Sequence, residues 1–241
     1  MYSLWESCPS LQIPILAKRT KASSLRPMKT RALAEAYWIL GGLAAAWFIS
    51  VALLSVGTLF PPFLFGALFL FTLYFFRDPE RVPPAGEDLA VSPADGVVTT
   101  IDEVEETEFL KTKVRRIGIF LSVLDVHVNR VPLTGKVTHS EPKPGRFFDA
   151  RDPRSSLLNQ SRSWVIAGPV ATVMVKQITG AIARRICPWA VVGDTLERGA
   201  RFGMIRFGSR TELYFPLEAD VLVKLGDRVR GGETAVARFH K

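Results

Sequence analysis

Cysteine and histidine are scarce in this chain of 241 residues, and charge is missing altogether from one long stretch. The two cysteines, Cys8 and Cys187, stand far apart in unlike surroundings. That argues against a disulfide framework or a metal cluster and fits a reducing compartment. Three histidines, His127, His139 and His240, leave little choice of a general base near neutral pH. The Gly-x-Ser-x-Gly elbow of the serine hydrolases is absent around Ser209, where the chain reads Phe207-Gly-Ser-Arg-Thr.

From Ala36 to Phe76 there is no Asp, Glu, Lys or Arg. About 20 apolar residues cross a bilayer as a helix, so this run is long enough for two passes. Pro61-Pro62 interrupts it where proline suits the first turn of a new helix. The expectation is a membrane-associated helical hairpin over residues 32–76. Lys29 and Arg31 before it and Arg77 and Arg81 after it place both flanks, and the domain that follows, on the cytoplasmic face of the cell membrane. The second half is short for a full crossing, which leaves a re-entrant or interfacial hairpin open; a cleaved signal peptide fits worse. Residues 1–31 form a basic leader. Pro9, Pro14 and Pro27 interrupt it without helical periodicity, so it reads as disordered, and Met28 stands as an alternative start to Met1. The net charge of +8 is concentrated in that leader, and the aromatics are not interleaved with the basic residues. The partner this implies is anionic lipid rather than nucleic acid.

Beyond Arg77 short apolar stretches alternate with Gly, Pro and Asp, the texture of a mostly β, β-rich α+β domain over 77–241. The best strand candidates are Val97–Ile101, Arg116–Val123, Val170–Ile178, Leu213–Phe215 and Thr234–Phe239. A short helix is expected around Gln177–Ile186, and a polar loop or helix turn over Arg154–Arg162. Gly193–Gly199, GDTLERG, echoes Gly226–Gly232, GDRVRGG. Each predicts a tight turn with glycine at positive φ and Asp capping local amides, a repeat suited to a barrel or sandwich.

Among candidates for chemistry, His127 lies in FLSVLDVHVNRVP, where an apolar strand runs into a polar turn. It is either a general base facing a cleft or a histidine satisfied within a sheet. His139 and His240 look incidental. Asp95, in SPADG, is by default a turn aspartate, with the alternative of orienting His127 as a buried acid does in a serine triad. Asp125 competes for that role, two residues from His127 on the same face of a strand. Gly208-Ser209 by itself is an ordinary turn pair, but a serine after glycine can also attack the preceding carbonyl, because glycine tolerates the strained backbone required.

FFRDPER (Phe75–Arg81), SPADG (Ser92–Gly96), DVHVNRVP (Asp125–Pro132), QITGAIARRI (Gln177–Ile186) and GMIRFGSRTELYFP (Gly203–Pro216) occur in that order. Together they resemble the short bacterial type of phosphatidylserine decarboxylase proenzyme, from about residue 28 to the end. The resemblance implies self-cleavage between Gly208 and Ser209 into a large chain, 1–208, and a small chain, 209–241, that remain associated, with a possible homo-oligomer. Ser209 would become a pyruvoyl group that forms a Schiff base with the substrate amine, with no metal and no pyridoxal phosphate. The phospholipid substrate would leave as phosphatidylethanolamine and carbon dioxide. Asp95 and His127 would activate Ser209. In longer relatives a second histidine stands three residues after the first; here that position is Arg130. Candidates for the lipid phosphate are Arg146, Arg184, Arg185 and Arg210. A membrane-tethered lipoyl- or biotinyl-like carrier is the alternative, for which Lys176 would be the lysine to modify.

Overall fold

The computed structural model of the chain describes residues 31–53, 60–181, 185–206 and 208–240. The leader, Cys8, Met28 and Arg184 lie outside them. Three helices come first: α1 (Arg31–Ala34), α2 (Tyr37–Ala52) and α3 (Phe60–Phe75). Pro61 and Pro62 fall in the first turn of α3, where their missing N–H groups have no helical partner to lose. Gly66 of α3 lies against the Trp47 indole of α2. At about 1.5 Å per residue, 16 residues reach roughly 24 Å. Among the described residues no helix is long and apolar enough to cross a membrane.

The rest is β-rich: β1 (Leu89–Val91), β2 (Gly96–Glu106), β3 (Thr112–Leu121), β4 (Val128–Arg130), β5 (Gly135–Lys143), the single-turn α4 (Ser155–Leu158), β6 (Ser161–Ala167), β7 (Thr172–Thr179), β8 (Arg185–Pro188), β9 (Thr195–Leu196), β10 (Arg201–Arg206), β11 (Ser209–Pro216), β12 (Asp220–Val221), β13 (Arg228–Val229) and β14 (Ala235–Arg238). An antiparallel eight-stranded sheet runs β13-β2-β3-β11-β7-β6-β5-β9, and two three-stranded sheets, β4-β10-β8 and β1-β14-β12, accompany it. The expected strands fall on β2, β3, β7, β11 and β14, with Arg116–Val123, Val170–Ile178 and Thr234–Phe239 each running one or two residues past the observed strand. Two expectations are corrected. Gln177–Thr179 end β7 and Arg185–Ile186 begin β8, so no described residue of the stretch expected as a short helix is helical. Asp125 and His127 lie in the connection between β3 and β4, not on one face of a strand.

The two Gly-Asp units prove to be one structural device used twice. In each the first and last glycines hold positive φ: Gly193 +98° and Gly199 +79°, Gly226 +89° and Gly232 +80°. In each the Asp carboxylate accepts from the amide three residues earlier, Val191 to Asp194 at 3.0 Å and Lys224 to Asp227 at 2.8 Å. Each unit then supplies a two-residue edge strand, β9 on β5 and β13 on β2. The large sheet curls until the ends of the two units meet, Gly199 beside Gly232. Inside the curl, Ile117, Trp164, Phe202, Leu213 and Phe215 form part of the main core.

A second apolar cluster fastens the helices to the domain, with Ala32, Ala36, Phe75 and Phe76 against Val126, Val128, Cys187 and Met204. Glu35 reinforces it by pairing with Arg206. The end of α3 is thereby delivered to the connection that carries His127.

Candidate active site

Gly208 has φ +61°, in the left-handed region that favours glycine. A Cβ there would have room, its nearest neighbour lying 3.9 Å away, so conformation rather than space calls for glycine. Ser209 opens β11 and pairs with Leu121 of β3 on one side and Thr179 of β7 on the other. Its side chain is fully buried, and its Oγ has no hydrogen-bond partner. Such an orphaned hydroxyl costs about 1–3 kcal/mol and calls for a reason. The Gly208 carbonyl turns toward Gly180, where a Cβ would come within 2.5 Å of its oxygen. Only a bare α-carbon leaves that oxygen its place.

His127 is brought here by a turn. The Asp125 carboxylate accepts from the Ser122 amide at 2.8 Å and hydroxyl at 2.7 Å, and it pairs with Arg228 at 3.0 Å. With the side chain so occupied, it is the Asp125 main-chain carbonyl that accepts from His127 Nδ1, at 2.9 Å. On the other side of the ring the Gly208 amide donates to Nε2 at 3.1 Å. A carbonyl only accepts and an amide N–H only donates, so these partners fix a neutral imidazole with its proton on Nδ1. Burial pushes the His127 pKa down to about 4, a fall that hydrogen bonding to Asp125 and its charge only partly offset and that Arg77 deepens. Phe75 covers the ring at 4.3 Å between centroids.

Asp95 stands elsewhere. Its carboxylate accepts from Arg81 at 2.8 Å and from the Gly231 amide at 2.7 Å, and neither His127 nitrogen is bonded to it. Burial raises its pKa against the pull of those two partners. Arg81 also pairs with Glu233 at 2.8 Å. Arg77, Arg81, Asp95, Val126, Arg230 and Glu233 contribute to the wall of an open groove of ≈ 680 Å³ beside the His127 connection.

Arg130 is buried, held by Asp78 at 3.0 Å and by the carbonyls of Pro79 and Gly199. It is an ionic tie between the FFRDPER segment and the sheet. Arg210 is buried on the face of β11 opposite Ser209, which leaves it no route to a lipid phosphate there. Its guanidinium donates to Glu212 at 2.7 Å, Thr99 at 3.1 Å and Thr100 at 2.8 Å. Arg146 is exposed, and Arg185 begins β8. His139 is exposed in β5, and His240 pairs with Asp220 at the surface. Lys176 is in mid-strand and donates to the Ser156 carbonyl at 2.8 Å, unlike a modifiable lysine at a hairpin tip.

Sequence reasoning passed over a buried polar chain beside the site. Trp164 Nε1 donates to Gln177, Gln177 to Asn129, and Asn129 to Thr211 and the Pro93 carbonyl, at 2.7–3.2 Å. It links the segments that bear Asp95, His127 and Ser209. The available signal was polar residues at inward strand positions within DVHVNRVP, QITG and SRTELYF, since buried polar groups must be paired.

A family profile described as phosphatidylserine decarboxylase matches residues 68–237. The chain is 46% identical over 213 residues to a phosphatidylserine decarboxylase proenzyme from Pelobacter propionicus, covering 85% of this chain and 95% of that one. A protein of the same name from Geobacter metallireducens is 44% identical, covering 87% and 97%. Another from Gluconacetobacter diazotrophicus is 49% identical, covering 72% and 79%.

Proposed function

Because the chain belongs to the phosphatidylserine decarboxylase family, we propose that Gly208–Ser209 is the peptide bond this proenzyme breaks in itself, and that Ser209 becomes the pyruvoyl end of the 209–241 chain. The protein is a decarboxylase of phospholipid biosynthesis that converts phosphatidylserine to phosphatidylethanolamine and carbon dioxide. The choice of bond rests on the Ser209 hydroxyl, buried and unpartnered, directly after a glycine at positive φ whose amide touches His127.

Ser209 Oγ attacks the Gly208 carbonyl carbon while His127 Nε2 accepts the hydroxyl proton, shifting from the neighbouring amide to do so. Burial disfavours the imidazolium, so His127 passes that proton on to the departing Ser209 nitrogen, and an ester replaces the amide. Loss of the Ser209 α-proton and cleavage of Cβ–Oγ then release the Gly208 carboxylate and leave dehydroalanine at 209. Its enamine tautomerises, one water adds, and ammonia departs. The residues present suit the group this makes, since the Ser209 hydroxyl takes no bond whose loss would unsettle its neighbours and Gly180 leaves the Gly208 carbonyl uncovered. The pyruvoyl group supplies a carbonyl that takes up the substrate amine and serves as a sink for the electron pair left by carbon dioxide. His127 Nε2, turning from the Gly208 amide as it does during self-cleavage, holds the proton delivered to the carbon that lost carbon dioxide. Asp95 acts at one remove, tying Arg81 and the 230–232 turn to the segment beside His127. Asp95→Asn, which removes that charge, should slow maturation, read as persistence of the uncleaved chain.

The apolar α2 and α3 bring the domain to the cytoplasmic face of the membrane that holds the diacyl substrate. The groove beside the His127 connection, whose wall carries Arg77 and Arg230 along with Asp78, Glu80, Asp95 and Glu233, is where the serine headgroup, cationic at its amine and anionic at its phosphate and carboxylate, enters. Intact mass of the purified protein tests the scheme. Two chains, 1–208 and 209–241, the smaller blocked at its amino terminus, are expected, and Ser209→Ala gives a single inactive chain. One unmodified chain in an active preparation would overturn it.

A further inference from the structure

Residues 146–160 form an Ω-shaped loop whose ends are bonded to each other, Arg146 N–H to the Leu158 carbonyl at 2.7 Å and Gln160 N–H to the Arg146 carbonyl at 2.9 Å. Buried Asn159 staples it. Its amide group accepts from the Phe148 N–H and donates to the carbonyls of Phe148 and Thr179, all at 2.7–2.9 Å. Thr179 is the β7 residue paired with Ser209. Ala150 of the loop packs toward Gly180, the residue beneath the Gly208 carbonyl. The loop is therefore fixed over the cleavage site by bonds one residue away from it.

Its outer face is what a water-exposed loop does not need. Leu157 is 76% exposed and Leu158 45%, although α4 has only one turn on which to bury them. The same loop carries three guanidiniums, Arg146, Arg151 and Arg154, against two carboxylates, Asp149 and Asp152. Arg151 and Arg154 are held by those carboxylates at 2.6 and 2.7 Å, and both stay at the loop surface. Exposed leucines in a short loop that also carries an excess of arginine have the composition of a segment that lies at a lipid headgroup boundary. Phe75, at the end of the apolar α3, covers the His127 ring that meets the Gly208 amide, so an apolar helix reaches the same site.

We propose that the 146–160 loop is a second membrane-docking element, independent of α2 and α3, whose Leu157 and Leu158 enter a bilayer containing the serine lipid and set the Ser209 site against the headgroup layer. This rests on the reading of Ser209 given above. Full-length enzyme carrying Cys8→Ser and Leu157→Cys is labelled with an environment-sensitive fluorophore, Cys187 being buried, and mixed with phosphatidylcholine vesicles containing phosphatidylserine. The label at 157 should shift to the blue. A label at Thr107→Cys, exposed at the far end of the sheet, should not. Leu157→Ser with Leu158→Ser should raise KM for vesicle-borne substrate on the order of tenfold, since two leucines lose their burial in lipid. Self-cleavage, and turnover of a short-chain serine lipid dispersed in water, should stay as in the unsubstituted enzyme. The proposal falls if the label at 157 remains in water on vesicles that the same sample decarboxylates, or if the double variant keeps its KM on vesicles. Cleaved, unsubstituted enzyme that fails on the dispersed lipid as well would instead sink the assignment of Ser209, and this inference with it.

Discussion

At Gly180 the missing side chain is the functional feature. A methyl there would press on the Gly208 carbonyl oxygen from 2.5 Å, and that oxygen is backbone directly before the paired strand β11, so it cannot yield cheaply. Gly180→Ala is expected to slow self-cleavage at least tenfold, an order-of-magnitude expectation from about 1–3 kcal/mol of overpacking, read as persistence of the uncleaved chain on denaturing gels. His127 gives a pH signature. Its folded pKa, about 4, lies below the ordinary 6.5, so the unfolded chain binds the proton more readily. Stability from this group is complete above pH 6.5 and is lost as pH falls toward 4, by about 3 kcal/mol over the full range. In a Ser209→Ala background, which keeps the chain whole, urea midpoints at pH 7 and pH 4.5 should differ less once His127→Gln is added. Equal differences would mean that His127 is not held neutral by burial. DVHVNRVP singled out His127 and SPADG offered Asp95 to orient it, yet what holds the imidazole is the Asp125 main-chain carbonyl, which every residue carries and no residue letter can announce.

At the scale of elements, β11 shows why charged residues can occupy a strand buried on both faces. Ser209, Thr211, Leu213 and Phe215 face one way and Arg210, Glu212 and Tyr214 the other, as the period of two requires, and nearly all are buried. Burial would raise the Glu212 pKa, but Arg210, Tyr214 and Arg116 outweigh it and hold the carboxylate below its ordinary value. Arg210→Met should therefore destabilise the fold by about 3–5 kcal/mol, because it leaves a buried carboxylate without its closest cation. Adding Glu212→Leu should recover part of that loss, and a double-mutant cycle of urea unfolding measures the coupling. Additive losses would show that the pair does not act as one unit. The strand was legible over Leu213–Phe215, while Arg210 stood only as a candidate for the lipid phosphate. What buries Arg210 and Glu212 is Thr99 and Thr100 of β2 on the one and Ser156 of α4 on the other, contacts made far along the chain.

For the whole molecule, the proposed break falls where the architecture tolerates it. The 209–241 segment supplies β11, gripped between β3 and β7, as well as β13 on β2 and β14 on β1. After cleavage the two chains should elute together under native conditions and separate only in denaturant, which size-exclusion chromatography followed by intact mass checks. Release of the small chain without denaturant would contradict the sheet order. Residue type within a short window was enough to single out the Gly208–Ser209 pair, the scarcity of possible bases, the uncharged run of 36–76 and the doubled Gly-Asp turn. Only the tertiary structure decided that the two turns form opposite edges of one sheet and meet, that Asp95 serves Arg81 and the Gly231 amide rather than the imidazole, and that Arg130 and Arg210 are structural cations. Those outcomes depend on strand register and on the curl of the sheet, which bring together groups tens of residues apart and leave no local pattern to read.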